Sequence, residues 1–231
     1  MGLGDFLNIG SVNLKNYISE KLEIGFSQNG PTLAIAGTLT ASGSTIFINN
    51  ISLLLSHKQD NTQCQFIWFA FRPHRFALSG YKGIELKAPL KFMVTPNAPH
   101  PYNILFYDQI RYAEMIPTLK KIRKGWEDLV RKNERVFTDT DYRILFERFI
   151  LTEETSNCQN ELEQLCYWKA GEYLLKTIIV PQNSKQLIEV QKKIFISSDD
   201  SLNLKKNASA VIADICRQAT IPYVFVHPPL S

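Results

Sequence analysis

The sequence predicts a mainly β protein with α-helices, built as an antiparallel β-sandwich with a helical insertion and a C-terminal helix. Apolar and polar residues alternate through most of the first hundred positions, which is the pattern of half-buried strands. The period becomes helical after Asp108, and two more strands, joined through Pro181–Ser184, return near the end. A parallel sheet is disfavoured, because no strand–helix–strand rhythm occurs before residue 109.

Length and composition allow one large domain, or one domain with an elaboration. The chain has 231 residues, of which 45% are hydrophobic and 21% are charged, so collagen-like, low-complexity and mostly disordered classes are excluded. The pattern divides the chain into a lead-in (1–20), the first part of the sandwich (21–108), the helical insertion (109–165), a closing hairpin (166–197), and a C-terminal helix and tail (198–231).

The first strands follow from a period of two. Leu22–Phe26 and Leu33–Leu39 each place alternate apolar residues on one face. The apolar face then slips by one residue, which predicts a β-bulge near Asn49–Asn50, because an uncorrected slip would turn the apolar set to solvent. Cys64–Phe71 is continuously bulky and predicts a strand covered on both faces. Further strands are expected at Leu86–Thr95, Tyr102–Tyr107, Tyr173–Val180 and Leu187–Ile196.

Helices are expected where apolar residues recur every three or four positions. Leu119, Ile122 and Trp126 fall on one face of a first helix. The side chains of Thr138–Asp141 can accept hydrogen bonds from free backbone amides, so they predict the start of a second helix.

Two later helix boundaries are less regular. The last helix is expected to be capped by Ser198 or Asp199. The sequence does not decide whether residues 152–165 form a helix or a loop, because Glu161–Gln164 favours a helix whereas Ser156–Asn157 favours a loop.

The charge of the chain is concentrated in the first helix. Between Gln109 and Arg135 there are eight basic and four acidic residues, so this segment accounts for the whole net charge of +4. The basic side chains opposite the apolar stripe are Lys120, Lys124, Arg131 and Arg135. Such a surface, on a helix spanning 118–135, could bind anionic membrane, nucleic acid or an acidic protein.

A second interpretation of the same helix is a solvated face with no partner. Glu127 with Arg131, and Asp128 with Lys132, have the i,i+4 spacing of ordinary ion pairs. Because solvated charged faces are so common on amphipathic helices, we favour this interpretation over a binding surface.

The sequence carries no familiar catalytic motif. Phosphate loops, dinucleotide-binding glycines, zinc-protease motifs and nucleophile elbows are all missing, which disfavours an enzyme without excluding one that has no recognisable motif. We expect no cofactor and no metal site, and we identify no small-molecule substrate. Arg72, His74 and Arg75 follow a buried strand and could together hold an anion.

The cysteines point to a reducing compartment. They contain no C-x-x-C pair and are expected to be free, buried thiols: Cys64, Cys158, Cys166 and Cys216. The first residues lack the basic region of a signal peptide, and the uncharged stretch after Ile24 is interrupted too often by Gly, Pro and polar residues to span a membrane. We therefore expect a cytoplasmic protein.

Two local patterns resemble known β-sandwich families. Trp168–Tyr173, which opens a strand, resembles the entry to the penultimate strand of immunoglobulin-like sandwiches, where a corner tyrosine ties a loop to the sheet. Gly37–Leu39, followed by apolar residues over Ile48–Leu55, is similar to the early strands of arrestin-like domains. The resemblance covers roughly Lys21–Asp108 and Trp168–Ile196, whereas the helical stretch between them departs from a compact sandwich.

The resemblance implies a scaffold that binds other proteins, with no catalytic residues to carry over. We therefore expect a non-catalytic protein-interaction module. An adaptor that binds anionic membrane or nucleic acid through the basic helix is the first alternative, and salt-sensitive binding would distinguish it. An enzyme is the second, and it would need a polar pocket with perturbed titratable groups.

Overall fold

The computed structural model describes residues 13–72, 86–133, 138–182, 187–218 and 221–231. In this part of the chain 43% of residues lie in strands and 34% in helices, so the protein is mixed and strand exceeds helix. The described strands form a single antiparallel sheet that is nearly closed into a barrel-like shape.

The elements follow one another in a simple order along the chain. The strands are β1 (Asn13–Ser27), β2 (Gly30–Ser42), β3 (Ile46–His57), β4 (Gln63–Phe71), β5 (Phe92–Val94), β6 (His100–Asp108), β7 (Gly171–Pro181) and β8 (Ile188–Ile196). The helices are α1 (Gln109–Lys132), α2 (Asp139–Phe149), α3 (Glu153–Leu165) and α4 (Ser198–Ile215). The sheet runs β1-β2-β6-β4-β3-β7-β8, and β5 pairs with β3. The three helices α1 to α3 are therefore an insertion between β6 and β7.

The strand expectations hold with three corrections. The β3–β7 register shifts between Ile48 and Asn50, which confirms the expected bulge. The strand expected at Leu86–Thr95 shortens to β5, because Pro89 lacks the N–H that a paired strand must donate. On β4 one face is buried but the other is exposed or half-buried, so the expectation of a strand covered on both faces is wrong. β1 begins at Asn13, inside the segment expected to be a lead-in.

The helix boundaries are set by capping groups. Thr138 and Asp141 form a capping box at the start of α2, as expected. Residues 152–165 are helical. Thr152 caps α3, and the negative charges of two glutamates in its first turn are stabilised by the positive end of the helix dipole. The cap of α4 is Ser197, one residue before the expected position, in a capping box with Asp200.

The core is a single apolar cluster that joins the inward face of the sheet to the helices. Trp168 is 0% exposed, stacks on Phe66, and donates its indole N–H to the carbonyl of Gly25 over 2.8 Å. The hydroxyl of Tyr173 accepts from the N–H of Lys169 and donates to its carbonyl, each over 2.9 Å, which confirms the tyrosine corner. All four cysteines are free and buried.

Candidate functional site

The two end strands of the sheet, β1 and β8, are separated by the last residues of the chain. We call Tyr223–Ser231 the C-terminal segment. Val226 exchanges two backbone hydrogen bonds with Ile24 of β1, at 2.9 and 3.0 Å. Ser231 exchanges two with Lys193 of β8, at 2.8 and 3.1 Å, so the segment bridges both edges of the sheet.

Side chains of α4 hold the C-terminal segment in place, and a glycine of β1 leaves room for it. Asn207, only 1% exposed, donates its amide N–H to the carbonyl of Val224 and accepts that residue's N–H, each over 2.7 Å. The hydroxyl of Tyr223 donates to Asp214 over 2.9 Å. A Cβ at Gly25 would lie 2.7 Å from the ring of Phe225, so the close approach of this ring to β1 requires a glycine.

The segment runs antiparallel to both edges, and its described pairing covers only part of their length. Its pairings fall on Ile24 and Glu20 of β1 and on Ile194 and Lys193 of β8, with the β1 and β8 numbers decreasing toward Ser231. Continued in that direction, the register would pass Asn13–Ile18 of β1 and Ile188–Lys192 of β8. We call the gap between the facing edges of β1 and β8 the seam. The two stretches form its open half, because no described residue pairs with their outer edges, and the part beside the C-terminal segment is its closed half.

The unpaired groups in the open half have a defined direction. The N–H and C=O of Lys193 point toward the C-terminal segment. In an antiparallel strand every second residue directs its backbone groups to the same side, so Glu189 and Gln191 also direct theirs into the seam. The open half thus offers a strand edge already aligned with a segment that the sheet accepts.

The inward face of β8 is incompletely covered in the open half. Ile194, which pairs with Leu230 of the C-terminal segment, is 1% exposed. Ile188, Val190 and Lys192 also occupy inward positions, but they are only half-buried. Apolar surface is therefore left accessible where the C-terminal segment no longer covers the strand.

The open half is weakly basic. Glu189 is neutralised by Lys176, at 2.7 Å on the neighbouring strand. Lys15 and Lys192 form no ion pair with any described residue. An acidic group would therefore be favoured in this part of the seam.

The basic helix is placed largely as expected. Lys120, Lys124 and Arg131 are exposed on α1, and Ile122 and Trp126 are buried beneath them. Arg135 lies outside the described residues. Within the described part of the chain, Lys120 and Lys124 form no ion pair.

The ion pairs on α1 differ from the i,i+4 pairs expected from the sequence. Arg131 pairs with Asp128, one turn back at i,i+3, instead of with Glu127. Lys121 reaches across to Glu161 of α3 at 3.2 Å. One edge of the basic face is thus used to hold two helices together.

The anion candidate after β4 is only partly described. Arg72 forms an ion pair with Glu23 at 2.7 Å, and both side chains are about four-fifths buried. Its charge is therefore already compensated. His74 and Arg75 lie outside the described residues.

A pocket of ≈ 320 Å³, lined by both polar and apolar groups, lies between the β3–β4 hairpin, the start of α1, the end of α3 and α4. On one side His57 directs Nδ1 at Asp60 over 2.8 Å and Nε2 at the carbonyl of Ala170 over 3.3 Å. Lys169 donates to the same carboxylate over 2.5 Å. These hydrogen bonds, with Lys169 as the main donor and Thr62 as another, hold the pKa of Asp60 far below its usual range.

The interior of the pocket contains a hydroxyl and two thiols. Burial raises the pKa of the Cys64 thiol, and raises that of Cys166 to about 12. The hydroxyl of Tyr167 is buried and has no well-formed hydrogen bond with any described group, although Cys64 and Asp108 are close enough to influence it. Burial, reinforced by these two neighbours, raises the pKa of Tyr167 well above its usual value.

Sequence reasoning missed both the seam and the pocket. The pocket draws residues from three helices, three strands and the loops between them, with no fixed spacing that a motif search could detect. The seam depends on a register between the last residues and two distant strands. The apolar run at Tyr223–Val226 was the one visible signal that the tail lies against the body.

Comparisons of the chain with protein-family models, with curated proteins and with solved structures find no significant match. Among the described helices, none has the length and apolar character needed to cross a membrane. The described residues contain no cluster of three or more His, Cys, Asp or Glu side chains placed to bind a metal ion.

Proposed function

We propose that the protein is a non-catalytic protein-interaction module that binds an extended peptide of a partner protein in the open half of the seam. The observation that carries this proposal is the alignment of the C-terminal segment, which already occupies the other half, with two strand edges that no described residue pairs. Strand addition to an exposed sheet edge is a recurrent mode of peptide recognition, in which backbone hydrogen bonds provide affinity and alternate side chains provide specificity.

The open half defines the chemistry of the peptide. It accommodates about five residues, the length of Ile188–Lys192. Apolar side chains at alternate positions would complete the burial of Ile188 and Val190. An acidic side chain near Lys192 would pair with an ammonium group that has no ion-pair partner in the described part of the chain.

The protonated thiols support a non-catalytic role. A cysteine acts as a nucleophile through its thiolate, and burial raises the pKa of both Cys64 and Cys166. Free, buried cysteines also support our proposal of a cytoplasmic, reducing location.

Within this proposal we keep an immunoglobulin- or arrestin-like sandwich as the finer architecture, and the tyrosine corner of Tyr173 supports the immunoglobulin-like form. The continuous pairing from β1 to β8 favours barrel-like closure instead. In a sandwich the seam would lie between the edges of two sheets, whereas in a barrel-like closure it would be a gap in a single sheet.

The alternative function is an adaptor for anionic membrane or nucleic acid. The exposed ammonium groups of Lys120 and Lys124, which are free of ion pairs in the described part of the chain, favour it. Arg131 contributes less, because Asp128 already neutralises it. Binding of this kind would weaken steeply with added salt, whereas strand addition would not.

The test begins by selecting peptides from a displayed library for binding to the intact protein. The affinity of the selected peptides is then measured for two variants at one position. Gln191→Pro removes the N–H that faces the seam while leaving the β7 pairing side intact, and Gln191→Ala retains that N–H as a matched control. We expect selected peptides to bind the proline variant about tenfold more weakly and the alanine variant with nearly wild-type affinity. Thermal unfolding of both variants checks that they fold.

Amide exchange locates the bound peptide. On peptide binding, the N–H groups of Glu189 and Gln191 should become protected, whereas that of Lys193, already bonded to Ser231, should change little. Peptides that bind the folded proline variant as tightly as the wild type, or that protect amides elsewhere, would overturn the proposal.

A further inference from the structure

We propose that the pocket beside His57 is a binding site for a small organic oxyanion, a molecule carrying a carboxylate or phosphate group. This site is separate from the seam and does not depend on the proposed peptide binding. Its volume of ≈ 320 Å³ falls at the lower end of the range for small-molecule sites, about 300–1,000 Å³.

The charge of the described lining favours an anion. Its basic groups come from separate parts of the fold: His57 from β3, Arg111 from α1, Lys169 from the loop before β7, and Lys205 from α4. Glu163 is the acidic residue in the described lining, and the amide of Gln159 donates to it over 2.9 Å. Convergence of several cations on one cavity focuses a positive potential there.

The cations differ in how fully they are already compensated. Asp60 pairs with Lys169 and also contacts Nδ1 of His57, and Glu114 pairs with Arg111 over 2.7 Å. Lys205 forms no ion pair with any described residue and lies on an exposed part of α4. Lys205 is therefore the group best able to bind the ligand's anionic group, with Arg111 adding a second donor.

The interior provides a polar contact for the rest of the ligand. The buried hydroxyl of Tyr167 lacks a well-formed hydrogen bond, and a buried polar group in that state costs free energy until a partner arrives. The guanidinium of Arg111 lies 5.7 Å from the centre of the Tyr167 ring, which places the two groups together. A ligand bound at Lys205 that also displaces the cover of this hydroxyl would supply its missing partner.

The nearby carboxylate of Asp108 disfavours a negative charge at the hydroxyl of Tyr167, so the ligand's anionic group belongs at Lys205 and a neutral polar atom at the hydroxyl. It accepts the N–H groups of Ile110 and Arg111 over 3.0 and 3.1 Å, so the first turn of α1 already disperses its negative charge. Both thiols of the lining are held in the neutral form by burial and add no negative charge.

The experiment is titration of the intact protein with two probes, inorganic phosphate and succinate, followed by amide chemical shifts and repeated with chloride at equal ionic strength. We expect saturable shifts at the amides of Tyr167, Lys169 and Lys205 with at least one of the two oxyanions, and none with chloride. Tighter binding of phosphate would identify a phosphate-bearing ligand, and tighter binding of succinate a carboxylate. Either order supports the shared oxyanion chemistry.

Two neighbouring lysines on α4 provide a matched pair of variants. Lys205→Gln should weaken binding about tenfold, because it removes a charge-assisted contact. Lys206→Gln should leave binding within about twofold, since Lys206 bonds to Asn203 and is not part of the lining. Equal weakening by the two variants would mean that the anion senses only the general charge of α4, and would overturn the proposal.

The hydroxyl provides an independent test. Tyr167→Phe should weaken succinate or phosphate binding severalfold while leaving the urea midpoint unchanged or higher, because the lost group has no well-formed hydrogen bond to break. A lower midpoint with unchanged anion binding would assign the hydroxyl a structural role. Absence of saturable shifts with both oxyanions in the folded wild type would also overturn the site.

Discussion

The two halves of β8 have the same alternating pattern but different burial. In the half beside the C-terminal segment, Ile194 and Ile196 are fully buried. In the open half, Ile188 and Val190 occupy equivalent inward positions and are only half-buried. β7 pairs with the whole length of β8 on one side, so it cannot cause this difference in burial. The difference comes from the C-terminal segment, which lies beside only one half of the other edge.

This contrast separates the strand's own sequence from its surroundings. Alternation decides which side chains point inward, but a third strand or segment decides how far water is excluded from them. The same applies to the backbone: Lys193 is hydrogen-bonded on both sides, whereas no described residue bonds the outward groups of Gln191. An edge of this kind exposes a template for pairing unless something covers it.

The largest expected effect is on the free energy of unfolding at the two ends of β8. Ile194→Ala should lower it by about 2–5 kcal/mol, because it leaves a cavity in a fully buried site. Ile188→Ala should cost markedly less, since water already reaches part of that side chain. Urea unfolding of the two variants measures the difference directly. Equal losses would mean that the open half is covered after all.

The next effect concerns what holds the C-terminal segment. Asn207→Ala should lower the free energy of unfolding by about 1–3 kcal/mol, because the N–H and C=O of Val224 lose their buried partner. The exchange of the Val226 amide should accelerate, so that the closed half comes to resemble the open half. Asn203→Ala, on the same helix and bonded only to Lys206 by its side chain, is the control and should change stability by less than about 0.5 kcal/mol.

The elements that could be predicted from the sequence are those decided by local period. The bulge near Asn49–Asn50 could be predicted because the alternating apolar face slips there by one residue, and one extra residue in the strand returns that face to the core. The corner at Tyr173 was visible because its hydrogen bonds reach only to Lys169, four residues away. The sequence left α3 undecided between helix and loop, because Ser156–Asn157 disfavours a helix locally. In the fold, the buried contacts of Cys158 and Leu162 stabilise the helix.

What could not be predicted depends on long-range register. The seam exists because Val226 meets Ile24 and Ser231 meets Lys193, and no local pattern encodes either pairing. The pocket is similar, because Lys205 of α4 and Cys64 of β4 come together only when α4 packs on the sheet. The ion pair of Arg131 shows the same limit at short range, since i,i+3 and i,i+4 partners were both available on one helix.

A smaller effect tests the closed half from the other side of β8. Tyr173 pairs with Ile194 across the β7–β8 ladder, and its hydroxyl makes both hydrogen bonds of the corner. Tyr173→Phe should lower the free energy of unfolding by about 1 kcal/mol, since the corner lies near solvent and water can replace part of what is lost. Exchange should quicken at Lys193 and remain unchanged at Gln191. An unchanged urea midpoint would mean that the corner contributes no stability.

The smallest expected effect is on α1, whose basic face carries none of the residues of either half of the seam. Replacing Lys120, Lys124 and Arg131 together by Glu should change the free energy of unfolding by about 0.5 kcal/mol, chiefly through the lost pair with Asp128. Trp126→Ala, on the buried face of the same helix, should cost about 3–5 kcal/mol and serves as the contrast.

The triple variant also separates the two functions. If the peptide selected for the seam binds it as tightly as the wild type, recognition resides in strand addition. If the wild type binds anionic vesicles or RNA at low salt and the triple variant does not, the basic face is a second binding surface. Wild-type protein that ignores both ligands at low ionic strength, where surface charge acts most strongly, would exclude the adaptor and leave the open half of the seam as the recognition surface.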